Sequence, residues 1–159
     1  HRWRQLERWR PSGYRPHRTL TMGARYTIAV RDGILDLIAS AIDGGPGPGI
    51  LRLYSGRRPA SADDELAGNV LLAELAFSKP CAPIADGGVL TFAPLSTDAE
   101  AMATGTATFA RVADSRGRAV ADWDVGPTGS GATLSLNTVQ LVAGGPVKIG
   151  SASIRLPAA

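Results

Sequence analysis

Histidine and cysteine, the side chains behind much enzyme and metal chemistry, are scarce in this sequence. Both histidines, His1 and His17, lie within the first 21 residues, and Cys81 is the single cysteine among 159 residues. One sulfur forms neither an internal disulfide nor a thiolate cluster. Without a histidine beyond residue 21, that part of the chain has no Ser-His-Asp or Cys-His catalysis and no histidine-ligated metal. We expect Cys81 to be a buried or loop thiol, and we expect no enzyme activity, cofactor or metal.

Long apolar runs are also missing. No stretch approaches the roughly 20 apolar residues that cross a bilayer, and the first residues lack the apolar core of a secretory signal. We therefore expect a soluble, single-domain protein without a membrane span.

Positive charge is concentrated at one end of the chain. The first 21 residues contain six arginines and one acid, Glu7, a net charge of +5. The rest contains eleven basic and thirteen acidic side chains, a net charge of −2. This distribution predicts a basic arm of residues 1–22 on a mildly acidic domain of residues 23–159.

The arm combines its arginines with aromatic rings and few aliphatic residues, a composition that calls for a partner. Arginine and aromatic side chains suit an acidic protein surface, nucleic acid or a membrane surface. Met22 resembles a translation start, so an idle or non-native tail is a further alternative. We predict docking on protein, without nucleic acid or membrane. The predicted contact residues are Arg2, Trp3, Arg4, Arg8, Trp9, Arg10, Tyr14, Arg15 and Arg18.

One helix is predicted near residues 30–42. From Ile28 to Ile42, apolar residues recur at spacings of three and four, as in one amphipathic helix. The sequence Asp43-Gly44-Gly45-Pro46-Gly47-Pro48-Gly49 should end it, because glycine adopts left-handed geometry and proline cannot continue a helix. This glycine-rich stretch follows a helix and lacks a Gly-Lys-Ser/Thr ending, so it is not interpreted as a phosphate loop.

The remainder of the chain alternates short strand-like runs with turn residues. Seven strands are predicted, at residues 50–54, 70–77, 89–92, 104–113, 118–125, 132–136 and 147–156. This pattern is typical of a mostly β fold, an antiparallel β-sandwich. Asp114-Ser115-Arg116-Gly117 is predicted to be a hairpin turn.

The fifth predicted strand alternates cleanly, which places Trp123 in the core and Asp122 and Asp124 on the opposite, solvated face. We expect one core around Trp123. Its other predicted members are Leu51, Leu53, Leu72, Leu75, Phe109, Leu134, Leu136 and Ile154.

Two acidic clusters are the remaining candidates for chemistry. Asp63-Asp64-Glu65 and the pair Asp122/Asp124 have the side chains of a Ca²⁺ site or a carboxylate pair of a glycosidase. We favour a solvated loop and a solvated strand face instead.

From residue 34 onwards the chain resembles small virion proteins of tailed bacteriophages, some of them capsid cement (decoration) proteins. The first segments that carry the resemblance are Leu51-Arg52-Leu53-Tyr54-Ser55-Gly56 with Pro59, Leu71-Leu72-Ala73-Glu74-Leu75 with Phe77, Ser78 and Pro80, and Gly88-Val89-Leu90-Thr91. The later ones are Ala103-Thr104-Gly105-Thr106-Ala107, Asp114-Ser115-Arg116-Gly117, Leu134-Ser135-Leu136-Asn137-Thr138 and Gly144-Gly145-Pro146-Val147.

The resemblance implies a jelly-roll-like sandwich on the capsid exterior, without activity or cofactor. Its implied partners are the major capsid protein and neighbouring copies of the same chain, as a homo-oligomer on the particle. A tail, neck or baseplate protein that binds a receptor or carbohydrate is the alternative, with the Asp122/Asp124 face or a loop as its site.

Overall fold

The computed structural model describes residues 23–96 and 99–157. The predicted arm of residues 1–22, with its nine contact candidates from Arg2 to Arg18, lies outside the described residues.

The predicted helix is confirmed as α1, Ile28–Ile42. Thr27 caps its start, where the Thr27 hydroxyl accepts a hydrogen bond from the Val30 N–H at 3.3 Å. The helix ends where the glycine-rich stretch begins, as predicted. Across the described ranges, no helix has the length and apolar character needed to cross a bilayer.

Nine strands follow α1 in the described chain. Their bounds are β1 Ile50–Tyr54, β2 Leu71–Ala76, β3 Val89–Thr91, β4 Gly105–Thr106, β5 Phe109–Ala113, β6 Ala119–Pro127, β7 Leu134–Leu136, β8 Gln140–Leu141 and β9 Ile149–Arg155. Seven strands form one sheet in the order β2-β1-β5-β6-β7-β9-β3, and β4 pairs with β8. All pairs are antiparallel except β6 with β7.

The predicted strand at residues 104–113 is divided in two because the chain changes partners. The Ala107 N–H donates to the Val139 carbonyl beside β8, whereas the Thr108 N–H donates to the Tyr54 carbonyl of β1. The part before this change is β4 and the part after it is β5. Strand β8 was not predicted, since two residues carry no readable alternation.

The large sheet curves until its two ends approach each other. After β3, the Phe92 N–H donates to Ala152 of β9, and the Ser96 N–H then donates to Ala76 of β2, the strand at the opposite end of the sheet. The Phe92 and Trp123 rings lie 4.9 Å apart although two strands separate β3 from β6. The predicted mostly β, sandwich-like fold with an N-terminal helix is confirmed.

The core lies inside this curved sheet. Trp123 is buried, with Phe92 and Phe77 against its ring. Six predicted leucines belong to the same cluster and Ile154 packs against it; these leucines are Leu51, Leu53, Leu72, Leu75, Leu134 and Leu136.

The predicted place of Phe109 in this cluster was wrong. Phe109 is buried, but it lies on the other face of β5 from the core residues Ala110 and Val112. Its ring stacks on Tyr54, its partner across β1, at 5.5 Å. The loop of residues 55–70 folds over this outer face, so apolarity alone did not distinguish the two sides.

Candidate protein-binding surface on the helix

Helix α1 turns its charged side chains towards the domain and not towards solvent. Surface helices normally present charged residues to solvent and apolar residues to the core. In α1 the three charged residues are Arg31, Asp32 and Asp36, and all three are only partly exposed because they face the domain. Each is used to attach the helix to the chain around it.

The attachments are hydrogen bonds to backbone groups of distant segments. Asp32 accepts from the Gly88 N–H at 2.7 Å, and Asp36 accepts from the Ala85 N–H at 2.8 Å. Arg31 donates to the Leu156 carbonyl at 2.9 Å. Because their partners belong to the protein's own backbone, these side chains fix the rotation of α1 about its axis.

The C-terminal end of α1 is attached in the same way. The Asp43 carboxylate accepts from the Cys81 N–H at 3.1 Å. The Lys79 ammonium donates to the carbonyls of Asp43, Gly45 and Gly47. A cation at this position also suits the negative end of the helix dipole.

Only a narrow part of α1 contributes to the core. Leu35 and Ile42 are fully buried, and Ile38 packs against the core cluster. The sequence predicted one apolar face that also included Val30, Ile34, Leu37 and Ala41. The structure instead turns these four residues towards solvent.

The solvent side of α1 therefore has no charged residue. We define the outward face of α1 as its exposed residues from the second position on. They are Ala29, Val30, Gly33, Ile34, Leu37, Ser40 and Ala41. Leu37 is 69% exposed, and Ile84, which precedes the Ala85 N–H that Asp36 binds, is 83% exposed. An apolar patch of this kind, on a helix held in place by partly buried hydrogen bonds, is typical of a protein-binding surface.

Asp122 and Asp124, the acidic pair considered as an alternative cation or carboxylate site, do not share a site. The expectation that both carboxylates face solvent was wrong for Asp122, whose side chain is 6% exposed. Both its oxygens accept from Arg111, at 2.7 and 2.9 Å, and this hydrogen bonding raises the pKa of Arg111. Asp124 is exposed and accepts from the Thr133 N–H. Within the described ranges, no group of three potential metal ligands occurs.

Arg111 and Asp122 belong to a row of charges across four strands. Strand register places Glu74, Arg52, Arg111 and Asp122 side by side on β2, β1, β5 and β6. Arg52 pairs with Glu74 at 2.8 Å, so each arginine has its own carboxylate. The row stabilises the outer face of the sheet and leaves no free carboxylate pair for glycosidase chemistry there.

The other acidic cluster, Asp63-Asp64-Glu65, lies on an exposed loop, as expected. Asp64 accepts from the Ser61 N–H, and its carbonyl accepts from Arg111. An open pocket of about 330 Å³ lies in the same loop. Its lining residues are Arg57, Arg58, Pro59, Ala60, Asp64, Glu65, Ala67 and Asn69.

The polar groups of Asn69 in this pocket are already engaged. Its amide donates to the carbonyls of Ser55 and Arg57, and its oxygen accepts from the Ala67 N–H. These contacts hold the two ends of the loop of residues 55–70 together.

The glycine-rich stretch after α1 is explained by close packing. A Cβ atom on Gly45 would lie 1.9 Å from the Ser115 hydroxyl oxygen, and one on Gly49 would lie 2.4 Å from the Ile42 side chain. The carbonyls of Gly45 and Gly47 in this stretch accept from the Lys79 ammonium. A phosphate loop instead presents backbone N–H groups to an anion.

Cys81 is buried, as predicted. Burial raises the pKa of its thiol to about 12, and the nearby Asp43 carboxylate acts in the same direction. Since the thiolate is the nucleophile, the thiol is unreactive at neutral pH.

The outward face of α1 was missed at the sequence level because its residues were assigned to the core. A usable signal was present: the apolar positions of α1 cover more than one face, and its charges fall among them. Comparison of the chain with protein-family models, curated proteins and solved structures finds no match.

Proposed function

We propose that this chain is a non-enzymatic assembly protein of a virion, which binds other protein chains through the outward face of α1. The observation that supports this most strongly is the inverted helix. Its charged residues bind the domain's own backbone, and its uncharged side is exposed. Exposed apolar surface lowers solubility, so a partner that covers it is the simplest reason for its presence.

The specific role that we propose is a capsid cement protein bound to the major capsid protein on the outside of the shell. The sequence resemblance described above supports this role, and so does the small size of the exposed helix face. One helix face is small for a protein interface, but many copies that each bridge neighbouring subunits make weak contacts sufficient. Residues 1–22 stay a predicted additional contact, through arginine charges and tryptophan anchors.

Copy number in purified particles tests this role. Particles from a strain that encodes the chain would be analysed by quantitative mass spectrometry against the major capsid protein. Cement function predicts hundreds of copies per particle, because the binding site repeats with the shell. About a dozen copies or fewer would favour the tail or baseplate alternative instead. Absence of the chain from particles would contradict a virion role altogether.

A further inference from the structure

The outward face of α1 contains both a protruding side chain and a gap. Leu37 is the most exposed of the three large apolar side chains on this face, ahead of Val30 and Ile34. Gly33 lies four residues earlier, and a Cβ atom there would meet nothing within 4 Å. Residues four apart lie on the same side of a helix, so the protrusion and the gap are neighbours.

Gly33 has no explanation within the described chain. Glycine in a helix interior costs about 1 kcal/mol relative to alanine. Neither a positive φ nor a close contact requires it, since Gly33 is not among the positive-φ glycines and its surroundings are open. Absence of a side chain at this position is useful if another chain approaches closely there.

We propose that two copies of this chain pair through the outward face of α1, across a two-fold axis. The inference rests on the proposed function, because it names the first partner of the assembly surface. In an antiparallel helix pair about such an axis, Leu37 of each copy packs over Gly33 of the other. Each contact is then made twice, as an isologous interface requires. Ala41 continues the row of Gly33 and Leu37, and Val30 and Ile34 form the neighbouring row that packs beside it.

The charge pattern suits self-pairing in particular. A face that meets its own copy near a two-fold axis brings like charges together, which costs free energy. The outward face has no charged residue, because Arg31, Asp32 and Asp36 are turned towards the domain. No residue of this helix face therefore opposes the approach of a second copy.

One exposed apolar side chain outside α1 lies next to the helix. Ile84 is 83% exposed, and it precedes Ala85, whose N–H donates to Asp36 of α1. A typical stable interface buries about 800 Å² per partner, and a single helix face is smaller. With Ile84 added to the helix face we expect self-association with a Kd on the order of 10 µM, weaker than that of an obligate dimer.

Sedimentation equilibrium of the full chain over low to high micromolar concentrations tests the pairing. The wild type should be a dimer at the upper end of this range. Leu37→Arg should be a monomer throughout, because pairing would bring two guanidinium groups, one from each copy, close to the same two-fold axis. Val142→Arg is the matched control, since Val142 is 64% exposed and lies outside α1; this variant should dimerise like the wild type. A monomeric wild type, or a Leu37→Arg variant that dimerises normally, would overturn the proposal.

Disulfide trapping tests the register. An equimolar mixture of full-length Gly33→Cys and Leu37→Cys should form a cross-linked heterodimer under mild oxidation, faster than either variant alone, and the buried Cys81 does not compete. Equal or slower cross-linking in the mixture would overturn the two-fold register.

The two proposals fail in different ways. If the wild type is monomeric and Leu37→Arg is nevertheless lost from particles, self-pairing is wrong and the face binds another virion protein. If Leu37→Arg changes neither association nor incorporation, the proposed function loses its binding surface as well.

Discussion

Whether a charged side chain of this protein is held in a buried ion pair or is solvated does not follow from its position in the sequence. Asp122 and Asp124 lie two residues apart on β6, yet Asp122 forms a nearly buried bidentate pair with Arg111 and Asp124 is solvated. Arg52 and Glu74 make an ion pair of similar length one strand away, but both side chains are more than a third exposed. The two pairs are therefore a matched comparison of buried and exposed ion pairs.

Arg111→Ala should lower the free energy of unfolding by about 3 kcal/mol, because it leaves the Asp122 carboxylate buried without its partner. Arg52→Ala should cost at most about 1 kcal/mol, since water solvates Glu74 once the arginine is removed. Urea unfolding of both variants measures the difference. Equal losses would show that the Arg111–Asp122 pair contributes no more than a surface pair.

Cys81 should be inert in the folded protein. With a thiol pKa of about 12, almost no thiolate exists at pH 8, and the side chain is fully buried. Native protein incubated with iodoacetamide at that pH should show no alkylation by mass spectrometry, whereas protein unfolded in urea should be alkylated once. Rapid labelling of the native protein would mean that the segment around Cys81 opens readily.

At the scale of elements, the hairpin between β5 and β6 depends on Asp114. Its carboxylate accepts from the Arg116 and Arg118 N–H groups and from the Arg118 side chain. Desolvation raises the pKa of Asp114, but these hydrogen bonds outweigh it and bring the pKa below the ordinary value of 3.8. Because the folded pKa is depressed, the ionised carboxylate stabilises the hairpin above pH 3.8, and this is lost as pH falls through the folded pKa.

Asp114→Asn should therefore be less stable than the wild type at pH 7, and the difference should shrink in acid. Chemical unfolding at a series of pH values follows this difference. Glu65→Gln, which neutralises an exposed loop carboxylate, is the control and should match the wild type at pH 7. A deficit of Asp114→Asn that persists unchanged into strong acid would show that the carboxylate's charge is not the cause.

The elements themselves were largely predictable from local sequence. Helix α1 ends at the predicted residue and begins two residues before the predicted start at residue 30, and Asp114-Ser115-Arg116-Gly117 forms the predicted turn, with Gly117 at a φ of +84°. Long-range choices were not predictable. Which face of β5 receives Phe109, and which partner the chain takes on either side of Ala107, depend on residues more than 30 positions away.

The same limit applies to the candidate site. An apolar residue of α1 can face the core or a partner, and periodicity alone does not separate Leu35, which is buried, from Leu37, which is exposed. The difference is set by Asp32 and Asp36, whose backbone partners at Gly88 and Ala85 are about 50 residues further along. Those contacts appear only once the fold is known.

At the scale of the whole molecule, the curved sheet, the loop of residues 79–88 and α1 form one unit whose outward helix face is left for a partner. Because Leu37 makes little contact with its own domain, Leu37→Arg should leave the free energy of unfolding within about 0.5 kcal/mol of the wild type. The outward face is thus predicted to matter for assembly and not for folding.

Competitive incorporation into particles most directly tests the claim that the outward face of α1 is needed for assembly. Wild-type chain and Leu37→Arg would be co-produced in equal amounts during particle growth, and their ratio in purified particles measured from the peptides that differ. We predict at least about tenfold enrichment of the wild type, the result of losing roughly 1.4 kcal/mol or more of binding free energy. A parallel competition with Val142→Arg should give equal incorporation. Equal incorporation of wild type and Leu37→Arg would contradict the account.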